Sequence, residues 1–504
     1  MSKKSVSLQG SFIFDTPVMV EEKKHLLAND SSIPWIKVVR GIPYFITDDG
    51  DSWIPIGQND AITWPELTGA FRRKNMDAVE AYMSMLSAQG VTCLRLMLEY
   101  CQSENRYLEK PAGVFQNNMV QLWDDIFLCC KKYSLRILLT PYDTFWMWRR
   151  WSHHPYNHIN NGPCIKRSQW LLCAGMREAI KERLYFATRR WGGSGVLFAW
   201  DLWNEIRPAH SGNSSNPFTE FINDIGSFLH KAEMELHGRA HLQTVSVFTP
   251  LLQKNQRIVK SVINHDALDF ATVHLYGLNS IDNPKNTVDA AIATGMLTRQ
   301  VINHLKDKRP FFDSEHGPIK TFNSHGKTLA EDFDDEYFRH IQWAHVASGG
   351  AGGGMRWPYR HPHALTEGMR NAQLALAGFL PLISWNQFDR VNLNEEIKLG
   401  DPGLTVFACG DKEQTLIWLL RTNAKGKNKM LRKDARAEAF EICIPLLQPG
   451  KYNVTLWDTL SGSVIDKYEC MNECMMKLQL PPVITDLAVY INLDGNPRGR
   501  IFNN

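Results

Sequence analysis

The chain predicts an α/β protein, a (β/α)8 TIM barrel followed by a small all-β, sandwich-like C-terminal domain. Three observations carry that prediction. Up to about residue 385, short apolar runs alternate with segments of helical periodicity. From residue 386 the texture changes to short strands separated by turns such as Asp458-Thr-Leu-Ser-Gly462. Within the first part, residues 196–203 are almost wholly apolar, as a strand covered on both faces must be, and they meet Asn204 and Glu205. The expected division is an N-terminal extension at 1–40 packing along the barrel, the barrel at 41–385 and the β domain at 386–504.

In chain order, residues 43–59 read as a hairpin. Tyr44-Phe45-Ile46 and an arm from Trp53 flank Asp48-Asp49-Gly50, and Asp-Gly between apolar runs is a strong hairpin signal. The second arm becomes the first barrel strand, ending Gly57-Gln-Asn59. Met76, Val79, Met83 and Leu86 recur at helical spacing, and Gly90 stops that helix. The second strand is expected at 91–97, and the third at 135–140 after a helix marked by Met119, Leu122, Trp123, Ile126 and Cys130. A helix over 170–190 leads into the fourth strand, which ends at Glu205. The fifth is expected at 244–249 and the sixth at 269–276; the seventh ends at Glu315, where Gly317 and Pro318 turn the chain. A helix over 337–346, a glycine-rich eighth strand over 350–358 and a helix over 367–382 complete the barrel. The β domain is expected to hold strands at 404–407, 415–420, 439–444, 452–457, 476–480 and 487–491. The basic stretch 425–436 falls between two of them and reads as a solvated loop.

Composition narrows the function classes. A length of 504 residues suits a barrel plus an accessory module. A net charge of +3 is close to neutral for this size and offers no reason to expect nucleic acid or a membrane surface as partner. No apolar run is long enough for a secretion signal or approaches the ~18 residues of a membrane span, so a cytoplasmic location is the expectation. The ten cysteines form no Cys-x-x-Cys units, which argues against a thiolate zinc site. Histidines 153, 154, 158, 361 and 363 read as loop residues, because the first strand ends Gly57-Gln-Asn59 where a metallohydrolase barrel would carry a His-x-His pair. No metal and no cofactor are expected, and the pattern carries no signal for oligomeric state.

In a parallel barrel the chemistry sits at the C-terminal ends of the strands. Two such ends carry glutamates, Glu205 and Glu315, and two carboxyl groups flanking one glycosidic bond can act as proton donor and nucleophile. An acid needs a raised pKa, and burial of Glu205 among Trp200 and Trp203 is expected to supply it. Asn204 is placed to hold a sugar hydroxyl. A nucleophile needs a polar, hydrogen-bonded setting, for which Arg95 on the second strand and Tyr276 on the sixth are suited. His274 lies two residues before Tyr276, so both face one side of their strand. Indole faces stack on the C–H faces of pyranose rings, which makes Trp357 at the end of the eighth strand a candidate, with Tyr142, Trp146 and Trp148 in the loop after the third. Those loop aromatics read equally as a small core of their own. Trp64, in the first loop, is a weaker candidate.

The pattern over residues 40–385 resembles clan A of the glycoside hydrolases, most closely the family 5 cellulase and mannanase type. The resemblance rests on Leu202-Trp-Asn204-Glu205, His274-Leu-Tyr276 and Ser314-Glu315-His-Gly317, with Arg95 and Trp357 at matching strands. It implies a retaining double displacement on β-linked oligo- or polysaccharides of gluco or manno type. Glu205 would be the acid/base and Glu315 the nucleophile, with a carboxyl separation of ~5–5.5 Å. Asn204 would contact the sugar 2-hydroxyl, Arg95 and Tyr276 would orient Glu315, and Trp357 would floor the subsite. The chain departs from the pattern at Thr140-Pro-Tyr142-Asp143, where a histidine is common, at Ile206 in place of a proline and at His316 in place of an aromatic. These bear on the sugar rather than on the mechanism. The competing expectations are a catalytically inactive carbohydrate-binding barrel, a metal-dependent hydrolase, and a transglycosylase working from the same site.

Overall fold

The computed structural model describes residues 32–495 except 103, 326–327, 386–387 and 401–402. Residues 1–31 of the expected N-terminal extension, and the expected boundary at 386, lie outside the described residues.

The centre is a parallel sheet flanked by helices. Strands Gly57–Asn59, Cys93–Met97, Arg136–Thr140, Leu197–Asp201 and Leu242–Thr244 pair side by side in that order. Val247–Phe248, Ala271–Leu275 and Phe311–His316 form a second parallel run. Every residue of Cys93–Met97, Arg136–Thr140, Leu197–Asp201 and Ala271–Leu275 is buried, which is why they read as apolar runs without alternation. Helices Met76–Ala88, Asn117–Lys132, Ala174–Trp191, Phe218–His237, Thr287–His304, Glu331–Ala347 and Glu367–Phe379 intervene. The architecture is TIM-barrel-like.

The expected hairpin forms and takes up a specific task. Phe45–Thr47 pairs antiparallel with Ser52–Trp53, and Gly50 turns between them at φ +88°. Pro55, which has no N–H to give, separates this ribbon from Gly57–Asn59, where parallel pairing begins. Phe45 is fully buried, with ring centroids 5.0 Å from Phe198, 5.2 Å from Phe270 and 6.0 Å from Phe312. These rings lie at the starts of the parallel strands, so the hairpin packs on the N-terminal end of the sheet, opposite the end that carries Glu205 and Glu315. Burial of one such phenylalanine contributes about 1.5–3 kcal/mol.

Three strands differ from expectation. The fourth ends at Asp201, and residues 202–205 turn instead of continuing it. The fifth breaks at Val245-Ser246 and gives way to a helix at Thr249–Lys254. The eighth is reduced to Arg356, which bridges in parallel to His316 on one side and Gln58 on the other. The glycines explain this. A Cβ on Gly352 would stand 2.8 Å from the Pro55 ring, and Gly354 sits at φ +76°, outside any ladder geometry.

The C-terminal residues build two antiparallel sheets. The larger runs Val391–Asn392, Leu404–Gly410, Gln414–Arg421, Asp486–Leu493, Gly450–Asp458 and Ser463–Asn472; the smaller runs Lys398–Leu399, Glu441–Ile444 and Met476–Gln479. Ser463–Asn472 was not expected, because nearly all of it is exposed and it shows no apolar alternation. Trp343 and Phe379 of the helices pack with Trp418 and Trp457 of the larger sheet, and a buried Arg339–Asp486 ion pair of 2.6 Å joins the same surfaces. The cations of the loop 425–436 are exposed, while its Leu431 and Ala435 dip into that joint core.

Candidate functional site

The two glutamates are placed by backbone irregularities at strand ends. Glu205 has φ +48°, a left-handed conformation that costs a non-glycine residue energy and persists only where neighbours enforce it. Its N–H donates to Ser246 Oγ at 3.0 Å, and the Ser246 N–H donates to Asp201 Oδ1 at 2.9 Å. The break in the fifth strand therefore holds the turn after the fourth. At Glu315 the pairing with Ala271–Leu275 slips by one residue, so that Val273 faces Asp313 and His274 faces Glu315. Asp313 Oδ1 fills the irregularity by accepting the N–H groups of Glu315 (3.1 Å) and Leu275 (3.3 Å).

Arg95 organises the floor between them. One guanidinium nitrogen donates to Asn59 Oδ1 (2.9 Å) and Glu315 Oε2 (3.1 Å), the other to Asp201 Oδ2 (2.8 Å) and Asn204 Oδ1 (2.6 Å). Asn204 is held from its other side by Thr144, whose hydroxyl accepts from its amide at 3.1 Å. Tyr276 donates to Glu315 Oε1 at 2.7 Å and lies 3.0 Å from the Tyr359 hydroxyl. His274 Nδ1 stands 2.9 Å from Glu205 Oε1 and 3.5 Å from Glu315 Oε2. Donor atoms of Glu205, His274 and Glu315 all lie within 4.8 Å of one another. Arg95, Asn204, Glu205, His274, Tyr276 and Glu315 thus meet at one place.

The electrostatics depart from the sequence expectation. The indoles of Trp200 and Trp203 turn away from Glu205: Trp200 donates to Glu233 at 2.8 Å, and Trp203 packs edge-on against Phe221. Burial still pushes the Glu205 carboxyl up. The hydrogen bond and charge of His274, with Arg207 and Arg95 behind, more than offset this and hold it below the ordinary range. Glu315 is pushed up by burial, with the nearby Glu205 adding to the rise against the pull of His274, Arg95 and Tyr276. The side chains are 20% and 8% exposed, so Glu205 is the more open of the two. Carboxyl groups this close titrate as a pair.

The aromatic candidates separate into two groups. Trp357 packs edge-on to Trp64 at 5.1 Å and tilts over Tyr100 at 5.9 Å, and Trp64 stacks on His363 at 4.7 Å. Trp146, half-buried, stands beside the Tyr100 hydroxyl and extends that wall. Tyr142 does not belong to it. It is fully buried, its hydroxyl donates to Tyr156 at 3.0 Å, and Arg183 covers its ring at 4.2 Å. Trp148 has Arg167 over its ring at 4.2 Å and Arg207 at 5.4 Å, with Trp170 at its edge. The loop after the third strand is therefore mostly a core of its own, with Trp146 facing outward.

Neither a search against family models nor one against curated protein sequences returned a match. Solved structures do match. One glycoside hydrolase superposes with a TM-score of 0.59 at 12% identity, covering 94% of this chain and 99% of its own. A family 5 glycoside hydrolase from Bacteroides vulgatus gives 0.57 at 12% identity over 92% and 94%. A family 5 mannosidase from Rhizomucor miehei, in complex with mannosyl-fructose, gives 0.52 at 12% identity over 69% and 99%. The chain has the fold of these glycoside hydrolases.

A cation between Glu205, His274 and Glu315 is a geometric option, since three ligands of one ion show the same spacing. The surroundings do not suit one. Arg95 and Tyr276 already donate to both oxygens of Glu315, and the fixed charge of Arg95 would repel a cation. Besides Asn59 and Thr144, whose roles on Arg95 and Asn204 were not expected, four supporting residues escaped the sequence reading: Asp201, Ser246, Asp313 and Tyr359. Asp201 left one signal, a lone charged residue inside an apolar strand. The other three left none. Among the described residues no helix is long and apolar enough to cross a membrane.

Proposed function

We propose that this protein is a retaining β-glycoside hydrolase, with Glu315 as nucleophile and Glu205 as acid/base. The observation that carries the reading is the Glu205–His274–Glu315 cluster at the C-terminal ends of three strands, its carboxyl oxygens within 4.8 Å. That is the scale of the retaining geometry, ~5–5.5 Å, and well short of the ~6.5–9.5 Å that leaves room for an inverting water. The two parallel runs are read as one closed eight-stranded barrel, supported by the bridges of Arg356 to His316 and Gln58. A gluco or manno sugar is the proposed configuration, and the family 5 mannosidase neighbour supports manno.

In the first step the Glu315 carboxylate bonds to the anomeric carbon while the bond to the leaving oxygen breaks and the Glu205 proton passes to that oxygen. In the second, Glu205 takes a proton from water, the water oxygen bonds to the anomeric carbon and Glu315 leaves. Arg95 and Tyr276 hold Glu315 in line, and Asn204, braced by Arg95 and Thr144, presents its amide to the sugar. Trp357 offers a stacking face. As the site stands, Glu205 is pulled down and Glu315 pushed up, the reverse of what the first step needs. His274 lies within proton reach of both, and positive charge developing at the anomeric carbon favours the Glu315 anion. Substrate thereby shifts the proton onto Glu205.

The test is hydrolysis of a panel of aryl β-glycosides and β-linked oligosaccharides by the wild type, Glu205→Ala and Glu315→Ala. Activity in the wild type, none in Glu315→Ala, and azide rescue of Glu205→Ala through a β-glycosyl azide are expected. Turnover that survived loss of Glu315 would overturn the assignment. Three equally inactive proteins that still bound one sugar would favour the binding barrel.

A further inference from the structure

No Asp or Glu stands between Asp143 and Glu178, whereas Arg149, Arg150, Lys166, Arg167 and Arg177 do. In a chain of net charge +3 this is a local concentration of cations, and it follows a strand that ends at the catalytic face. Arg177 is accounted for by Glu220 and Asp224. The other guanidinium groups of this face have neutral partners. Arg150 donates to Asn105 and the Gln102 carbonyl, and Arg167 donates to the Trp148 carbonyl. Arg207, two residues after Glu205, directs only Nε into the protein, 3.0 Å from His210 Nε2.

Arg207 and Arg167 both lie on Trp148, at 5.4 and 4.2 Å from its ring. Burial holds His210 neutral, so it does not repel Arg207. Arg207 is thus half-buried and fixed by stacking, with its terminal nitrogens uncommitted to any carboxylate among the described residues. A guanidinium held this way is prepared for an oxyanion. Glu205 is the group that meets the leaving oxygen, which places Arg207 on the leaving-group side.

We propose that Arg207, assisted by Arg167 across Trp148, forms an anion-recognition subsite on the leaving-group side of Glu205, so that the substrate carries a carboxylate, sulfate or phosphate there. The inference rests on the glycosidase reading and deepens it by naming the substrate class.

The test compares a neutral β-linked disaccharide with three counterparts whose leaving sugar is a uronic acid, a 6-sulfate or a 6-phosphate, using wild type, Arg207→Gln and Arg167→Gln. The expected kcat/KM advantage of at least one anionic compound is about tenfold, the scale of one hydrogen bond between charged groups. It appears in KM and shrinks with added salt. Arg207→Gln removes the advantage, read as the ratio of anionic to neutral kcat/KM, because the loss of its charge beside Glu205 acts on all four compounds alike and cancels in that ratio. Arg167→Gln removes part of it and leaves the neutral compound unchanged within a factor of three. The best of the three arms names the anion. The proposal is overturned if all four compounds are cleaved equally well. It is also overturned if Arg207→Gln lowers all four by the same factor, since Arg207 would then act only through Glu205. Should the wild type cleave nothing, the glycosidase reading fails by itself. Calorimetric binding of the same compounds to Glu315→Gln then decides the anion site, with tenfold tighter binding expected and equal binding overturning it.

Discussion

Two buried arginines stand close to this site in nearly the same chemical company. Arg95 is bonded to Asp201 and Glu315 and fully buried. Arg183, also fully buried, meets Glu109 at 2.5 Å and Glu99 at 3.1 Å. Each cluster includes a histidine on a carboxylate: His274 on Glu205, and His154 on Glu99 at 2.8 Å. Each includes a tyrosine on a carboxylate: Tyr276 on Glu315, and Tyr156 on Glu109 at 2.9 Å. The difference is access. Glu205 is 20% exposed, whereas Glu99 and Glu109 are 2% and 1% exposed under a lid of Tyr142 and Tyr156. Arg183 also donates to the Pro141 carbonyl, so its cluster ties the loop after the third strand to helix Ala174–Trp191. Buried charge by itself therefore does not make a candidate site; what sets the Glu205–Glu315 pair apart is that it keeps an open side.

The largest expected effect separates the clusters by activity. Glu315→Gln should lower kcat/KM on the best aryl β-glycoside on the order of 10⁴-fold or more, while the thermal midpoint stays within a few degrees. Residual activity of several per cent would break the comparison. The converse variant, Arg183→Met, takes the shared guanidinium from two buried carboxylates, leaving Glu99 with His154 and Glu109 with Tyr156, and should cost about 3–5 kcal/mol of stability in chemical denaturation. The folded fraction should keep its turnover.

An acid titration sharpens the same contrast. Burial pushes Glu99 up, but Arg183 and His154 overcome it and bring its pKa from 4.5 to about 2. A folded-state pKa below the unfolded one contributes stability above the unfolded value, lost as pH falls. The cluster should therefore give up about 3 kcal/mol between about pH 4.5 and 2, read as the loss of the low-pH limb in Glu99→Gln. The smallest effects come from single hydroxyls. Tyr276→Phe removes one hydrogen bond to a carboxylate, worth about 1.5–3 kcal/mol, and should slow turnover about 10- to 100-fold. Tyr142→Phe should leave kinetics unchanged and cost about 1 kcal/mol of stability. Equal kinetic losses in the two variants would mean that the second cluster also serves the chemistry.

Much of this organisation is legible along the chain. Parallel strands buried on both faces appear as apolar runs, and their C-terminal ends lead to Glu205, in the turn after one, and Glu315, near the end of another. His274 and Tyr276 share a strand face by simple alternation. The exposed strand Ser463–Asn472 is invisible to that reading, because exposure erases the pattern that burial writes. The tryptophans are ambiguous for a related reason: Trp146 and Trp148 are alike in sequence, and each has two arginines over its ring, yet one reaches the Tyr100 wall and the other packs against Trp170 and His210.

By itself the sequence determined the parallel sheet, the appended β region and the six residues that converge on the site, since periodicity and strand ends are local properties of the backbone. Only the tertiary structure decided which charges surround each carboxyl group. Arg95 meets Asp201 and Glu315 across 106 and 220 residues of chain, and the turn at Glu205 is held by Ser246 at the break in the fifth strand. Access, proton affinity and the free side of Arg207 depend on neighbours a few ångströms away in space, and spacing along the chain does not encode them.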